Sequence, residues 1–348
     1  MKGPRPRLLG HFHLYPPSHN AGAEWMAHSI LSRLQRTHGW DVRVITTRPP
    51  RRRNTWDGIP VELVGTQSRQ LLDYRWADVA ITHLDVTRQA MACARRRQVP
   101  LVHLVHNHAQ LDFHRVGPAD AALVVWNSRW MAEHVGPGWP GDSMVVIPPV
   151  WTERYRLPQG PEGRAITLLN TAAAKGGALF WALAEALPEY QFLGVCGSYG
   201  DQVPQPRPHL PNVEVMGNQA DVRKVYARTR LLLMPSTYES WGRVAVEAAA
   251  SGIPTIASDT PGLVETGVPA VHLPVASQEV GVLAGFGRAT ATTEPEQVER
   301  WAAAIRRLMD DPVTWQQASV AAEVQAMRLE ALAQAQVAEL DERLRALL

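Results

Sequence analysis

Apolar residues fall along this chain in two alternating rhythms. Short unbroken apolar runs read as strands buried on both faces. In the first part they cover residues 7–14, 42–46, 77–83, 100–105, 121–125 and 145–150. In the second part they cover 166–169, 191–195, 213–216, 231–234, 253–257 and 271–273. Between them the spacing turns helical. Trp25, Met26, Ile30, Leu31 and Leu34 recur at the period of one helix face, and Gly39 closes that run. Residues 180–187, 222–229 and 244–251 read the same way, and 296–309 puts Val298, Ala302, Ile305 and Leu308 on one face. Residues 315–347 are nearly all helix formers with no interior Gly or Pro. Strands alternating with helices predict an α/β protein with open, doubly wound parallel sheets.

About six strands fall on each side of residues 150–163, a stretch with four Pro/Gly and no apolar periodicity. A chain of 348 residues is long enough for two domains. The expected division is 1–155, 156–312 and a helical segment 313–348, with a coiled-coil oligomer as the competing reading of that last segment. No window approaches the ~18 apolar residues of a membrane span. The N-terminus lacks the apolar core of a signal peptide. Two cysteines, Cys93 and Cys196, form no metal or redox motif and fit reduced thiols in a cytoplasmic protein. Charge is uneven. Residues 1–150 hold 18 Lys/Arg against 11 Asp/Glu, a net of +7, and the remainder holds 17 against 22, a net of −5. The basic half carries the runs Arg51-Arg52-Arg53 and Arg95-Arg96-Arg97 and favours an anionic partner over a neutral one. Solvated surface charge is the plain alternative.

The most informative stretch is 234–265, MPSTYESWGRVAVEAAASGIPTIASDTPGLVE. Strand, loop, helix and strand follow one another, the unit that places ligands at the C-terminal edge of a parallel sheet. Glu239 and Glu247 stand eight apart, a little over two helical turns, and so share nearly one helix face. The N–H groups near Gly242 suit an anion, and carboxylates beside them suit hydroxyls of the same ligand. A second loop, Asn170 to Gly177, follows a strand and carries Lys175. A third, His19 to Glu24, follows the first strand and includes Gly22.

Glu239-Ser240-Trp241-Gly242-Arg243-Val244-Ala245-Val246-Glu247-Ala248 resembles the donor-site signature of retaining glycosyltransferases of the GT-B fold, family 4 type (glycosyl transferases group 1). The resemblance covers about residues 7–325. It implies two Rossmann-like domains facing across a cleft, with the last helix crossing back to the first domain. It implies that Glu239 meets the donor sugar's hydroxyls and Glu247 the ribose. Backbone amides of Ser240, Trp241, Gly242, Arg243 and Val244 would cradle the distal phosphate. Gly197, Gly217 and Asn218 would approach the base. Similar proteins carry Arg, four residues, then Lys-Gly in the second loop, and both cations meet the diphosphate. Here Asn170 stands at the Arg position before Lys175, and Arg243 is a candidate substitute. His106 matches the histidine that approaches the reacting sugar, and imidazole titrates near neutrality. Retention would follow from front-face attack, with the leaving phosphate oxygen taking the acceptor's proton.

These readings make His106, Lys175 and Glu239 the catalytic candidates of a metal-independent transferase. The donor is a nucleotide-diphosphate sugar. The acceptor is a glycan, a small metabolite or a macromolecule, with nucleic acid entering only as an acceptor and no stable membrane insertion. His103, His106 and His108 raise a metal site, but alternation on a strand splits them between faces. The sequence also lacks an Asp-x-Asp pair suited to Mg²⁺ or Mn²⁺. Asn170 keeps a second class open: a GT-B protein that binds a nucleotide sugar with weak or no catalysis. A nucleotide-sugar epimerase is a third, but such enzymes lack this glutamate layout.

Overall fold

The computed structural model describes residues 5–48, 54–107, 120–198, 209–283 and 286–348, with the side chains of 278–289 outside the description. The chain divides into two compact units. One is Met1–Pro149 with Leu332–Leu348, and the other is Val150–Ala331.

The first unit runs β1 (Arg7–Phe12), α1 (Gly22–His38), β2 (Asp41–Thr46), β3 (Asn54–Trp56), β4 (Ile59–Leu63), α2 (Gln67–Trp76) and β5 (Val79–His83). It continues with α3 (Thr87–Arg97), β6 (Leu101–Val105), β7 (Leu123–Trp126), α4 (Arg129–His134) and β8 (Ser143–Val145). Among the described residues these strands form one sheet of order β3-β4-β2-β1-β5-β6-β7-β8. All its pairings are parallel except the β3–β4 hairpin. The buried runs sit where a doubly wound sheet needs them: Leu8, Val79, Ile81, Val102 and Leu104 are all sealed in one core layer. Ser128 caps α4, its hydroxyl accepting from the Met131 N–H at 3.1 Å.

Three readings of this unit need correction. β3, β4 and α2 carry too little apolar periodicity to be read from sequence. The run at 145–150 is not a strand throughout. β8 ends at Val145, and the Val146 N–H bonds the Trp126 carbonyl before Pro148 and Pro149, which have no N–H to donate. The stretch 150–163 is no bare linker either. It opens the second unit with α5 (Thr152–Tyr155) and buries Val150, Tyr155 and Leu157.

The second unit continues with β9 (Ala165–Leu169), α6 (Gly177–Ala186), β10 (Phe192–Val195), β11 (Val213–Met216), α7 (Arg223–Tyr226) and β12 (Thr229–Met234). Then come α8 (Arg243–Ala249), β13 (Thr255–Ser258), α9 (Pro261–Thr266), β14 (Val271–Leu273), the hairpin strands β15 (Ser277–Leu283) and β16 (Phe286–Ala291), and α10 (Pro295–Asp310). Its main sheet is wholly parallel, in the order β11-β10-β9-β12-β13-β14. The helix expected at 222–229 is only the single turn α7, because Thr229 already pairs with Ala165 in the sheet. The strand expected from residue 253 starts at Thr255, after Pro254. The amphipathic reading of 296–309 holds: α10 buries Trp301, Ala302, Ile305 and Leu308 against Phe180, Leu183 and Ile256.

The last helix, α11 (Pro312–Arg345), contributes to both units. Its final turns belong to the first, where Val337, Leu340 and Leu344 are fully buried beside Ile30, Leu34 and Trp40. Asp341 accepts from the Trp40 indole N–H at 2.6 Å. Leu340→Ala should therefore cost the first unit about 2–5 kcal/mol of transfer and cavity energy. Denaturant unfolding checks it, and a loss below ~0.5 kcal/mol would show that these turns do not hold that core.

Candidate functional site

In the second sheet β9 lies between β10 and β12, and the chain order reverses there. The loops leaving β9 and β12 therefore stand side by side at one sheet edge, the switch point where such sheets bind ligands. The loop after β9 begins at Asn170, whose N–H bonds the Val195 carbonyl and whose φ is +76°. Asn tolerates this left-handed conformation better than most residues do. Its Oδ1 accepts from the Ala172 N–H at 3.1 Å, folding the loop back. Gly176, at φ +83°, lets the loop press against Pro235; a Cβ there would come within 2.4 Å of the Pro235 carbonyl oxygen. The two loops are then tied by the Thr237 N–H to the Ala174 carbonyl, at 3.1 Å.

That contact brings Lys175 and Glu239 together. Lys175 Nζ donates to Glu239 Oε1 at 2.5 Å, and the Ser236 hydroxyl donates to the same oxygen at 3.0 Å. The Lys175 side chain keeps 34% of its exposure and Glu239 15%, so a ligand can reach both. Gly197 backs onto the Asn170 side chain, and Asn218 joins the ends of β10 and β11 by donating to the Cys196 carbonyl at 3.2 Å. Five of the expected residues, Asn170, Lys175, Gly197, Asn218 and Glu239, thus line loops at one sheet edge, with Gly217 beside them at the end of β11.

Gly242 adopts φ +91° at the turn into α8, with Leu263 packed where a side chain would begin. The preceding Trp241 is buried, and its indole N–H finds no partner among the described residues. Arg243 corrects an expectation. It is buried, not poised over a diphosphate: its Nε donates to Glu247 Oε1 at 2.6 Å and its Nη2 to the Tyr155 hydroxyl at 2.9 Å. The Tyr226 hydroxyl donates to Glu247 Oε2 at 3.3 Å and lies 3.5 Å from the Val244 carbonyl. Burial alone would lower the Arg243 pKa, but Tyr155 and Glu247 outweigh it and hold the guanidinium above its ordinary value. Burial, the nearby Glu247 charge and its hydrogen bond push Tyr226 well above 10.

In the first unit His106 lies just past β6 and is buried. Its Nε2 sits 2.8 Å from His83 Nδ1, so one ring donates and the other accepts. Burial, then the nearby His103, lowers the His106 pKa to about 3. His106 is therefore a neutral hydrogen-bonding group near neutrality, and the expectation that it titrates there is corrected. Burial likewise takes His11 to about 3 and His83 well below 6.5. Gly22 is the first residue of α1, with open space where a Cβ would stand. Neither it nor Ala21 has a positive φ. Arg51-Arg52-Arg53 and His108 lie outside the described residues. Among those described, no group of three His, Cys, Asp or Glu could hold a metal ion, and no helix is long and apolar enough to cross a membrane. The sequence reading gives no role to Tyr155, Tyr226, Ser236 or His83; Ser236 lies in the 234–265 stretch, three residues before Glu239, and only the fold brings in the other three.

The parallel sheets and their loops are those of the GT-B fold, and solved structures of that fold align along nearly the whole chain. A sucrose-phosphate synthase from Thermosynechococcus elongatus aligns over 99% of this chain and 100% of its own, with a TM-score of 0.73 and 17% identity. Anabaena HepE, crystallised with UDP and glucose, aligns over 96% and 99%, with a TM-score of 0.73 and 16% identity. Residues 179–311, within the second unit, match the family described as Glycosyl transferases group 1. Two D-inositol 3-phosphate glycosyltransferases are related in sequence. That of Mycolicibacterium smegmatis is 27% identical over 215 residues, 59% of this chain and 42% of the relative. That of Kineococcus radiotolerans is 35% identical over 95 residues, 27% and 20%. The chain thus spans less than half the length of the curated relatives it matches.

The buried neutral histidines have a consequence for pH. His11 and His106 bind protons near pH 6.5 when unfolded but only near 3 when folded. Between those values the unfolded chain holds more protons, so stability is complete above about 6.5 and falls as pH drops. From pH 7.5 to 5, each should cost the first unit about 2 kcal/mol. Unfolding followed by a probe in that unit checks this, and a flat profile over that range would place the histidines in contact with water.

Proposed function

We propose that this protein is a retaining glycosyltransferase that moves a sugar from a nucleotide-diphosphate sugar to an acceptor hydroxyl, without a metal. The observation that carries the reading is the Lys175–Glu239 pair, held partly exposed at the switch point of the second sheet. As the glycosidic bond breaks, negative charge grows on the leaving diphosphate. A preorganised cation beside that charge lowers the barrier more than it tightens ground-state binding. Lys175 fills that role. In the free protein its charge rests on Glu239, and with donor bound it turns to the diphosphate while Glu239 and Ser236 take the sugar's hydroxyls.

Glu247 takes the ribose hydroxyls. Backbone amides of Ser240 to Val244 take the distal phosphate, and Gly197, Gly217 and Asn218 border the base. Asn170 shapes its loop and supplies no charge. His106, neutral, hydrogen-bonds the reacting sugar, and the Gly22 loop leaves room for a ligand. The leaving phosphate oxygen accepts the acceptor's proton, giving front-face attack and retention. Solved complexes of HepE hold UDP or UDP-glucose, which favours a UDP-sugar as the first donor to try. An anionic acceptor is favoured by the basic first half and by relatives named for inositol phosphate. Buried free Cys93 and Cys196 suit a reducing, cytoplasmic setting.

Calorimetry with UDP-, GDP- and ADP-sugars, followed by donor turnover with and without EDTA, tests the reading. One nucleotide sugar should bind and turn over with EDTA present. Activity abolished by EDTA and restored by Mn²⁺ would end the metal-free mechanism, and no binding to any donor would end the assignment.

Two variants separate the roles. Lys175→Ala should lower turnover by about 10²–10³ while weakening donor affinity much less. His106→Ala should also lower turnover and leave nucleotide affinity near wild type, because the residues assigned to the nucleotide belong to the second unit. A Lys175→Ala enzyme with raised KM and intact kcat would make Lys175 a binding residue alone. Wild-type turnover in His106→Ala would remove that residue from the reaction.

A further inference from the structure

Glu247 is held by one residue of its own motif and by two tyrosines from outside it. Arg243, one turn before it on α8, donates at 2.6 Å to Oε1. Tyr226, on α7, donates at 3.3 Å to Oε2. Tyr155, on α5, accepts from Arg243 Nη2 at 2.9 Å. Tyr155 is itself fixed through its carbonyl, which accepts from the Ser251 hydroxyl at 2.5 Å. Three helices separated in sequence therefore converge on one carboxylate. The Arg243 and Glu247 side chains are only 6% and 9% exposed, so water competes little for these bonds. The elements flanking α8 add no rival carboxylate. β13 is Thr-Ile-Ala-Ser, and the one charged side chain of β12, Arg230, lies over the Trp315 ring.

A buried carboxylate with both oxygens bonded cannot swing between rotamers. Each oxygen nonetheless accepts more than one hydrogen bond. Glu247 can thus present remaining lone pairs in one fixed direction, which is what reading a pair of adjacent hydroxyls requires. We propose that Arg243, Tyr226 and Tyr155 are positioning residues that make Glu247 a discriminator for the ribose of the donor nucleotide, selecting ribo- over 2′-deoxyribonucleotides. The proposal rests on the assignment of Glu247 to the ribose made above. Arg243 donates to Glu247 Oε1 and to the Tyr155 hydroxyl, so loss of its fork acts on the ribose carboxylate first.

The test compares UDP with 2′-deoxy-UDP by calorimetry on the full chain, or the guanine or adenine pair if wild type prefers that base. Inorganic pyrophosphate serves as a phosphate-only probe, and thermal melts confirm that each variant is folded. Wild type should favour the ribonucleotide by about tenfold or more, the worth of a charge-assisted hydrogen bond. Arg243→Lys keeps the charge but loses the fork, and Tyr226→Phe loses one donor. Each should shrink that ratio several-fold, and Tyr226→Phe, outside the stretch assigned to the phosphate, should leave pyrophosphate affinity unchanged. Tyr155→Phe should shrink it less, and it still decides the matter if Arg243→Lys does not fold. Glu247→Gln separates the two layers. If it abolishes discrimination while folded Arg243→Lys, Tyr226→Phe and Tyr155→Phe all keep the wild-type ratio, the positioning proposal is overturned and the ribose assignment stands. If wild type does not discriminate at all, the ribose assignment falls and the proposal with it.

Discussion

β9 pairs in parallel with β10 on one side and β12 on the other, and the candidate site depends on that placement. Parallel strands all end at the same edge, so their outgoing loops collect there. Because the chain runs outward in both directions from β9, the loop after β9 and the loop after β12 meet at the switch point, where such sheets bind ligands. The strands at this seam are Val-, Ile- and Leu-rich and sealed on both faces, as a parallel sheet requires. Hydrophobic burial thereby sets the position of two polar loops, and those loops have only to be shaped. Asn170 and Gly176 shape the first through left-handed backbone, and the Thr237 N–H ties it to the second.

The site holds two acidic residues in different circumstances, and the difference suits different tasks. Glu239 meets a lysine and a hydroxyl in a partly exposed setting, where solvent weakens the attraction and a ligand can displace it. Glu247 meets an arginine in a buried setting, where charges carry a large desolvation cost and stay only because both partners are bonded. The first pair can open during a reaction. The second is fixed in the free protein and has no cheap alternative arrangement. In the first unit, buried neutral histidines follow the same logic. His83 and His106 satisfy each other, and burial keeps both from carrying charge.

Much of the fold is legible because parallel strands announce themselves as unbroken apolar runs, and the long helices as periodic ones. The runs that become β1, β2, β5, β6 and β9 to β14 stand within a few residues of the observed strands. β3, β4 and the β15–β16 hairpin escape because polar residues, Gly or Pro interrupt each of them, so none shows an unbroken apolar run. The site divides in the same way. Glu239, Gly242 and Glu247 lie within nine residues, so one motif names them, but the shared helix face expected from their spacing is not formed: α8 begins at Arg243 and Glu239 stands in the loop before it. Tyr155 reaches Arg243 across 88 positions and Tyr226 reaches Glu247 across 21. Only strand order brings those groups together, and no local pattern encodes strand order.

The departure at Asn170 becomes intelligible on the same terms. A long cation at that position would have to occupy a left-handed backbone, which Asn accepts more readily than Arg. Asn also closes the turn by bonding the Ala172 N–H, a task a guanidinium cannot perform because it has no acceptor. Arg243, the other candidate cation, is buried and gives its Nε to Glu247 and its Nη2 to Tyr155 inside the protein. Of the cations considered for the diphosphate, Lys175 alone stands at the sheet edge with exposure to spare. On the function proposed above, such a site concentrates its charge stabilisation in a single side chain. The proposed chemistry then depends on how well the Asn170 turn and the Gly176–Pro235 contact hold Lys175 in place.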